Sequence, residues 1–268
     1  VIPMYQIQAI PAFNDNYIWC IYDQESGAAL VVDPGDAKPV EAFLAANKLT
    51  PEVILLTHHH PDHSAGIATL CKDRELPVYG PDNSPFERIS HRVNESDAVT
   101  WRDFTFTVLK VPGHTLDHIA FFTSHYPADV PLLFSGDALF VCGCGRLFEG
   151  QPAQMRQSLE KLRKLPRETQ VYCGHEYTLA NLEFSRAVLP DDKGLADLQA
   201  HCQAVRENNE PTVPTTMERE AQLNPFLRWD DTAVVTAAQA YAADNGLPLE
   251  DGNPDQVFAA IRHWKDNF

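Results

Sequence analysis

Five groups able to hold a divalent metal fall within six residues, His58-His59-His60-Pro61-Asp62-His63, directly after Thr57. Neutral imidazole and carboxylate are the ligands that zinc, iron and manganese accept, provided a rigid support presents them. Spacing sorts the five. In an extended chain, positions two apart face the same side, so His58 and His60 can grip one ion while His59 points away. Pro61 breaks the extended run and turns Asp62 and His63 toward a second point. The segment can therefore seed two metal positions, where a solvated histidine loop would seed none.

One segment cannot fill two coordination spheres, so further histidine or aspartate ligands must come from elsewhere in a similar setting. Three residues qualify. His114 follows a strand expected to end at Val111, Asp137 follows one ending near Phe134, and His175 follows one ending near Cys173. Each stands just past the carboxyl end of its strand, the edge where open α/β sheets place their sites. Taken singly, His114 after Pro-Gly or Asp137 in Ser-Gly-Asp reads as a turn residue. Their recurrence in one setting favours a cluster.

The elements that must position these groups are legible as alternating patterns. Short apolar runs at 28–32, 53–56 and 131–134 precede DPGD, THHH and SGD and read as buried strands. The stretch 104–111 alternates apolar and polar residues, as a strand with one wet face does. Helical spacing occupies 39–46, 64–70 and 152–165, the last with Met155, Leu159 and Leu162 on one face. After Cys173 strand signals stop, and helices are expected at 195–205, 232–243 and 254–264. The last opens on Asn253-Pro254 with Asp255 behind, a cap, a ring suited to the first helical position and a charge suited to the dipole. The stretch 211–216, PTVPTT, reads as a turn-rich connector. The expected organisation is an α/β domain over residues 1–174 and a helical domain over 175–268.

Composition sets the outer limits. With 268 residues, 44% hydrophobic and 22% charged, the chain can bury a sizeable core. A net charge of −16 opposes nucleic acid or an anionic membrane as partner, because both would be repelled. The opening stretch lacks a basic segment and a long apolar core, and no later stretch is long enough to span a bilayer, so a cytoplasmic location is expected. A monomer is taken as the working state. Six scattered cysteines read as reduced thiols, with Cys142 and Cys144 as turn or core residues and not half of a thiolate metal site.

The motifs THHHPDH, PGHTLDH, SGDALF and CGHEYT resemble the ligand motifs of the metallo-β-lactamase superfamily, and within it those of glyoxalase II, the hydroxyacylglutathione hydrolases. The resemblance runs from IPAFNDNYIW through CGCGRLFEG to the last helix. It implies an αββα sandwich followed by a smaller all-α domain that binds the substrate. It also implies two divalent metal ions, zinc first with iron or manganese as alternatives. His58, His60 and His114 would hold one metal, Asp62, His63 and His175 the other, and Asp137 would bridge them. Two cations about 3.5–4 Å apart can share a hydroxide and lower its pKa toward neutrality. In this reading the hydroxide attacks a thioester carbonyl, with Asp62 and Asp137 as the catalytic carboxylates. Thr57 and His118 stand behind the ligands.

Metal ligands imply hydrolysis but not a substrate. The resemblance places Arg262 and Lys265, three apart on the last helix, on the glycine carboxylate of glutathione and Arg146 on its peptide, with Tyr177 as another substrate contact. Phe148 stands where some relatives carry a tyrosine that bonds the substrate, and Asp117 replaces a common glycine. The implied reaction is hydrolysis of S-D-lactoylglutathione to glutathione and D-lactate, the second step of methylglyoxal detoxification. The alternatives are a lactonase or another acyl-thioester hydrolase on the same two metals, and a non-catalytic metal-binding module.

Overall fold

The computed structural model describes residues 4–124 and 127–268; the first three residues of the stretch read for a leader lie outside them. The chain forms two compact units that do not follow chain order. One takes the residues up to Lys110, Asp117–Gly136 and Tyr172–His175; the other takes Val111–Leu116, Asp137–Val171 and Glu176–Phe268.

In the first unit one sheet has the order β1 (Tyr5–Ala12), β2 (Asn16–Asp23), β3 (Ala28–Val32), β4 (Thr50–Leu55), β5 (Val78–Pro81) and β6 (His91–Val93). The pairs from β1 to β3 are antiparallel and those from β3 to β6 parallel. Strands β2 and β3 are buried throughout, which is why their sequences show apolar runs and no alternation. Helix α1 (Ala37–Ala46) starts on the Asp36 carboxylate, which accepts from Lys38 N, and lays Val40 and Leu44 into the core formed with Ile18, Val31 and Ile54. In the second sheet, β7 (Ala98–Trp101), β8 (Phe104–Lys110), β9 (Ile119–Thr123) and β10 (Leu132–Gly136) are successively antiparallel. Ring contacts of 4.9 Å for Tyr5 on Phe104 and 4.8 Å for Trp19 on Tyr172 pack one sheet against the other.

The helix expected at 64–70 is instead two single turns, α2 (Pro61–Ser64) and α3 (Ile67–Leu70). The break has a physical cause at Gly66. Its N–H donates to Pro34 O at 3.0 Å, and a Cβ there would meet the same oxygen at 2.4 Å, so the chain is held against the turn after β3.

The second unit begins its regular structure with a small hairpin, β11 (Leu139–Phe140) and β12 (Gly143–Cys144), followed by α4 (Pro152–Arg163). Strand β13 (Gln170–Cys173) starts in this unit, where Gln170 and Val171 pair with β14 (Thr215–Thr216), a short strand inside the connector where none was expected. Its helices are α5 (Thr178–Val188), α6 (Lys193–Glu207), α7 (Met217–Leu223), α8 (Thr232–Asn245) and α9 (Pro254–Asp266). Helix α9 is capped as its sequence predicts, Asn253 Oδ1 accepting from Asp255 N and Gln256 N. Phe184, Phe226 and Phe258 form its aromatic core, and Trp229 lies under the guanidinium groups of Arg156 and Arg163. No described helix is long and apolar enough to cross a membrane.

Candidate metal centre and substrate loop

His58, His114, Asp137 and His175 follow the last residues of β4, β8, β10 and β13, Leu55, Lys110, Gly136 and Cys173, as the strand-end reading requires. In the first unit the chain brings Asp62, His63 and His175 together. Asp62 Oδ2 lies 3.3 Å from Nε2 of His63 and 3.3 Å from Nε2 of His175. Asn16 Nδ2 donates to the same oxygen at 3.0 Å. Burial alone would raise the Asp62 pKa; the His175 and His63 imidazoles and the Asn16 amide outweigh it and hold the carboxyl well below its ordinary range. His58 and His60 form a neighbouring pair, with ring centroids 4.9 Å apart.

In four of the rings, His58, His63, His114 and His175, the other nitrogen is fixed from behind. Thr57 Oγ1 donates to Asp33 Oδ2 at 2.7 Å, so it must accept from His58 Nδ1 at 2.9 Å. Asp33 Oδ2 also receives His63 Nδ1 at 2.9 Å, and Asp15 Oδ1 receives His175 Nδ1 at 2.9 Å. In the second unit the backbone carbonyl of Arg146 receives His114 Nδ1 at 2.7 Å. A carbonyl or carboxylate can only accept, so each of these Nδ1 atoms carries a proton, and in the neutral ring Nε2 is left with the lone pair that a metal would take, at His63 and His175 in place of the proton that otherwise bonds Asp62. His114 Nε2 lies 3.4 Å from Asp137 Oδ2. These 3.3–3.4 Å separations are long for hydrogen bonds and suit donors that share a cation. Imidazoles beside carboxylates, four of the rings braced by an acceptor, are the donor chemistry of a transition-metal site.

Small residues make the close approaches possible. A Cβ on Gly35 would sit 1.7 Å from Asp62 O, and one on Gly136, which has φ +53°, would sit 2.6 Å from Thr57 Oγ1. Asp33 itself has φ +55°, an uncommon conformation for a residue other than glycine, held by its bonds to Thr57 and His63. His59, expected to point away, bonds through Nδ1 to the buried Asp117 at 2.9 Å, which gives the replacement of the common glycine a partner. The His118 ring stacks on His58 at 4.5 Å.

The expected substrate contacts all lie in the second unit. Arg146 is exposed, with Nε 3.6 Å from Asp266 Oδ1. Phe148 is exposed beside His114, rings 5.3 Å apart, and Tyr177 packs its edge on Phe140 at 5.1 Å. Arg262 is 5% exposed: its guanidinium donates to Cys144 O at 2.9 Å and Asp266 Oδ1 at 2.8 Å and lies over Phe226. The resemblance places Arg262 and Lys265 on the substrate carboxylate; here the Arg262 guanidinium is engaged by Cys144 O and Asp266, and Lys265 lies half-buried over Phe184. Burial, then Arg262 and Arg146, lower the Lys265 pKa.

Sequence reasoning missed Asp15, Asn16 and Asp33. Asp33 carried the same signal as Asp137, an acid directly after a strand end. Also missed was Glu220, fully buried, whose carboxyl is pushed up to about 7 by burial against hydrogen bonds from Cys142 N, Thr215 and Asn224.

The whole chain has known counterparts. Residues 15–175 match the metallo-beta-lactamase superfamily, and residues 176–268 match the family described as hydroxyacylglutathione hydrolase C-terminus. It is 47% identical to the hydroxyacylglutathione hydrolase of Hahella chejuensis, over 99% of this chain and 100% of that one. Identity to the hydroxyacylglutathione hydrolase of Alkalilimnicola ehrlichii is 49%, over 98% and 99% of the two chains. Among solved structures, ETHE1 from Myxococcus xanthus superposes with a TM-score of 0.63 at 25% identity, covering 96% of each chain. A hydrolase with a binuclear His/Asp metal site is what this family and these donor clusters describe, and the chain belongs to the hydroxyacylglutathione hydrolases of the metallo-β-lactamase superfamily.

Proposed function

We propose that the chain hydrolyses the thioester of S-D-lactoylglutathione and related 2-hydroxyacylglutathiones, releasing glutathione and D-lactate in the cytoplasm as a monomer. His58, His60 and His114 are assigned to one metal, Asp62, His63 and His175 to the other, and Asp137 to both; zinc is the metal proposed. Two such cations would polarise the thioester carbonyl and lower the pKa of a shared water. Asp62, its carboxylate held by Asn16, would orient that water. Asp33, Asp15, Thr57 and the Arg146 carbonyl keep the imidazoles in one tautomer and one orientation. When the C–S bond breaks, the electron pair leaves on sulfur, and a thiol of ordinary pKa near 8.5 departs without a protein acid.

The observation that carries the substrate is the group of three cations, Arg146, Arg262 and Lys265, about the end of α9 in a chain of net charge −16. Glutathione is anionic at both ends, and an acidic protein that binds it needs local positive charge. Arg146 and Lys265 are proposed to meet its carboxylate and peptide, with Arg262 bracing them, and Tyr177 and Phe148 to line its path. The Arg146→Ala, Lys265→Ala double variant should raise KM for S-D-lactoylglutathione at least about thirtyfold, and barely change turnover of the lactoyl thioester of N-acetylcysteamine. Equal losses on both substrates would rule out the glutathione assignment and favour another acyl-thioester or a lactone.

A further inference from the structure

The loop from Asp137 to Arg146 has almost no ladder of its own beyond the hairpin of β11 and β12. Its carbonyls are taken instead by side chains, in seven consecutive residues. Asn224 Nδ2 donates to Phe140 O at 3.5 Å and Gly143 O at 3.1 Å, Asn181 Nδ2 to Val141 O at 3.2 Å, and Ser185 Oγ to Cys142 O at 3.2 Å. Arg262 donates to Cys144 O at 2.9 Å and Gly145 O at 3.5 Å, and His114 to Arg146 O at 2.7 Å. At the centre, Cys142 has φ +55°, a left-handed conformation that a side chain other than glycine adopts only when its surroundings force it.

What forces it is a carboxylate from α7. Glu220 Oε1 accepts from Cys142 N at 2.7 Å and from Asn224 Nδ2 at 3.0 Å, while Oε2 accepts from Thr215 Oγ1 at 2.8 Å. Glu220 has no solvent exposure. One buried acid thus bonds the strained residue directly and orients the amide that bonds the carbonyls on either side. Burying a carboxylate is unfavourable, and the bonds that offset it are spent on one turn, four residues before Arg146.

We propose that Glu220, with Asn224, is a positioning residue for substrate binding: it fixes the left-handed turn at Cys142 and thereby sets where Arg146 presents its guanidinium. The role rests on reading Arg146 as a substrate contact. Glu220 touches neither the proposed substrate cations nor the metal donors, so its loss should fall on KM and spare turnover of small substrates.

The test uses the full metal-loaded protein with S-D-lactoylglutathione and the lactoyl thioester of N-acetylcysteamine. Glu220→Ala should raise KM for the glutathione thioester about tenfold, leave the small thioester within about threefold, and retain two metal equivalents. Glu220→Gln keeps the Oε1 acceptor for Cys142 and turns its amide toward Thr215, and should restore KM to within about twofold. Unchanged KM in Glu220→Ala, or equal losses on both thioesters, overturns the positioning role. Arg146→Ala is the control: if it raises KM and Glu220→Ala does not, only the positioning role falls, and if it leaves KM unchanged, the assignment of Arg146 falls with it. Should Glu220→Ala not fold, Asn224→Ala decides by the same ratio of KM values.

Discussion

Asp33 Oδ2 lies 2.9 Å from Nδ1 of His63 and so dictates which nitrogen that imidazole turns toward Asp62. The same carboxylate holds the Thr57 hydroxyl and, through it, His58. One acid therefore braces a ligand assigned to each metal. Asp33→Ala should weaken metal affinity by roughly 10–100-fold, the usual effect of losing a carboxylate behind a ligating histidine. Chelator competition monitored by elemental analysis measures it, and an unchanged affinity would mean that His63 is oriented by something else.

Gly35 admits no side chain, because a Cβ would sit 1.7 Å from the backbone oxygen of Asp62. Gly35→Ala must displace α2 and with it both Asp62 and His63. The expected loss is about 3 kcal/mol or more, the upper range for single substitutions, together with reduced metal content. Urea titration with the slope checked against the parent reads the first quantity.

Glu220 makes stability depend on pH near neutrality. Its folded-state pKa, raised by burial to about 7, stands above the ordinary 4.5. Between those values the folded chain binds the proton and the unfolded chain does not, so this contribution is full below pH 4.5 and is lost as pH rises toward 7. The loss is on the order of 3 kcal/mol. Glu220→Gln cannot titrate and should remove that part of the slope; denaturant midpoints taken from pH 5 to 8 in parent and variant give the comparison.

Asp137, assigned to both metals, should be the least replaceable ligand. Asp137→Ala is expected to hold fewer than one equivalent in total and to lose at least about 1000-fold in kcat/KM, whereas His60→Ala should keep the metal assigned to Asp62, His63 and His175. A variant at Asp137 that still binds two equivalents contradicts the bridging role.

The candidate metal donors stood out in the sequence because a metal demands few residue types and the strand-end setting repeats. His58, Asp137 and His175 each follow a strand by no more than three residues. The braces were less legible, since Asp15, Asn16 and Glu220 act through contacts 160, 46 and 78 residues away in the chain. Helix α9 announced itself through Asn253 and Pro254, while α5, which starts at Tyr177 with no side-chain cap, gave no comparable signal. Strands β1 and β2 escaped notice because polar Gln6 and Gln8 interrupt β1 and Asn16 and Asp23 end β2, so neither shows the short pure apolar run that marked β3. The burial of Arg262 could not be read from the three-residue spacing that pairs it with Lys265; it follows from carbonyls at Cys144 and Gly145, about 118 residues upstream.

The central claim, a two-metal hydrolysis of a glutathione thioester, is met most directly by one titration. Purified chain stripped with a chelator is reloaded stepwise with zinc while cleavage of S-D-lactoylglutathione is followed. Activity should be absent in the stripped protein and rise to its plateau at two equivalents per chain. A plateau at one equivalent, or cleavage that persists without metal, would contradict it.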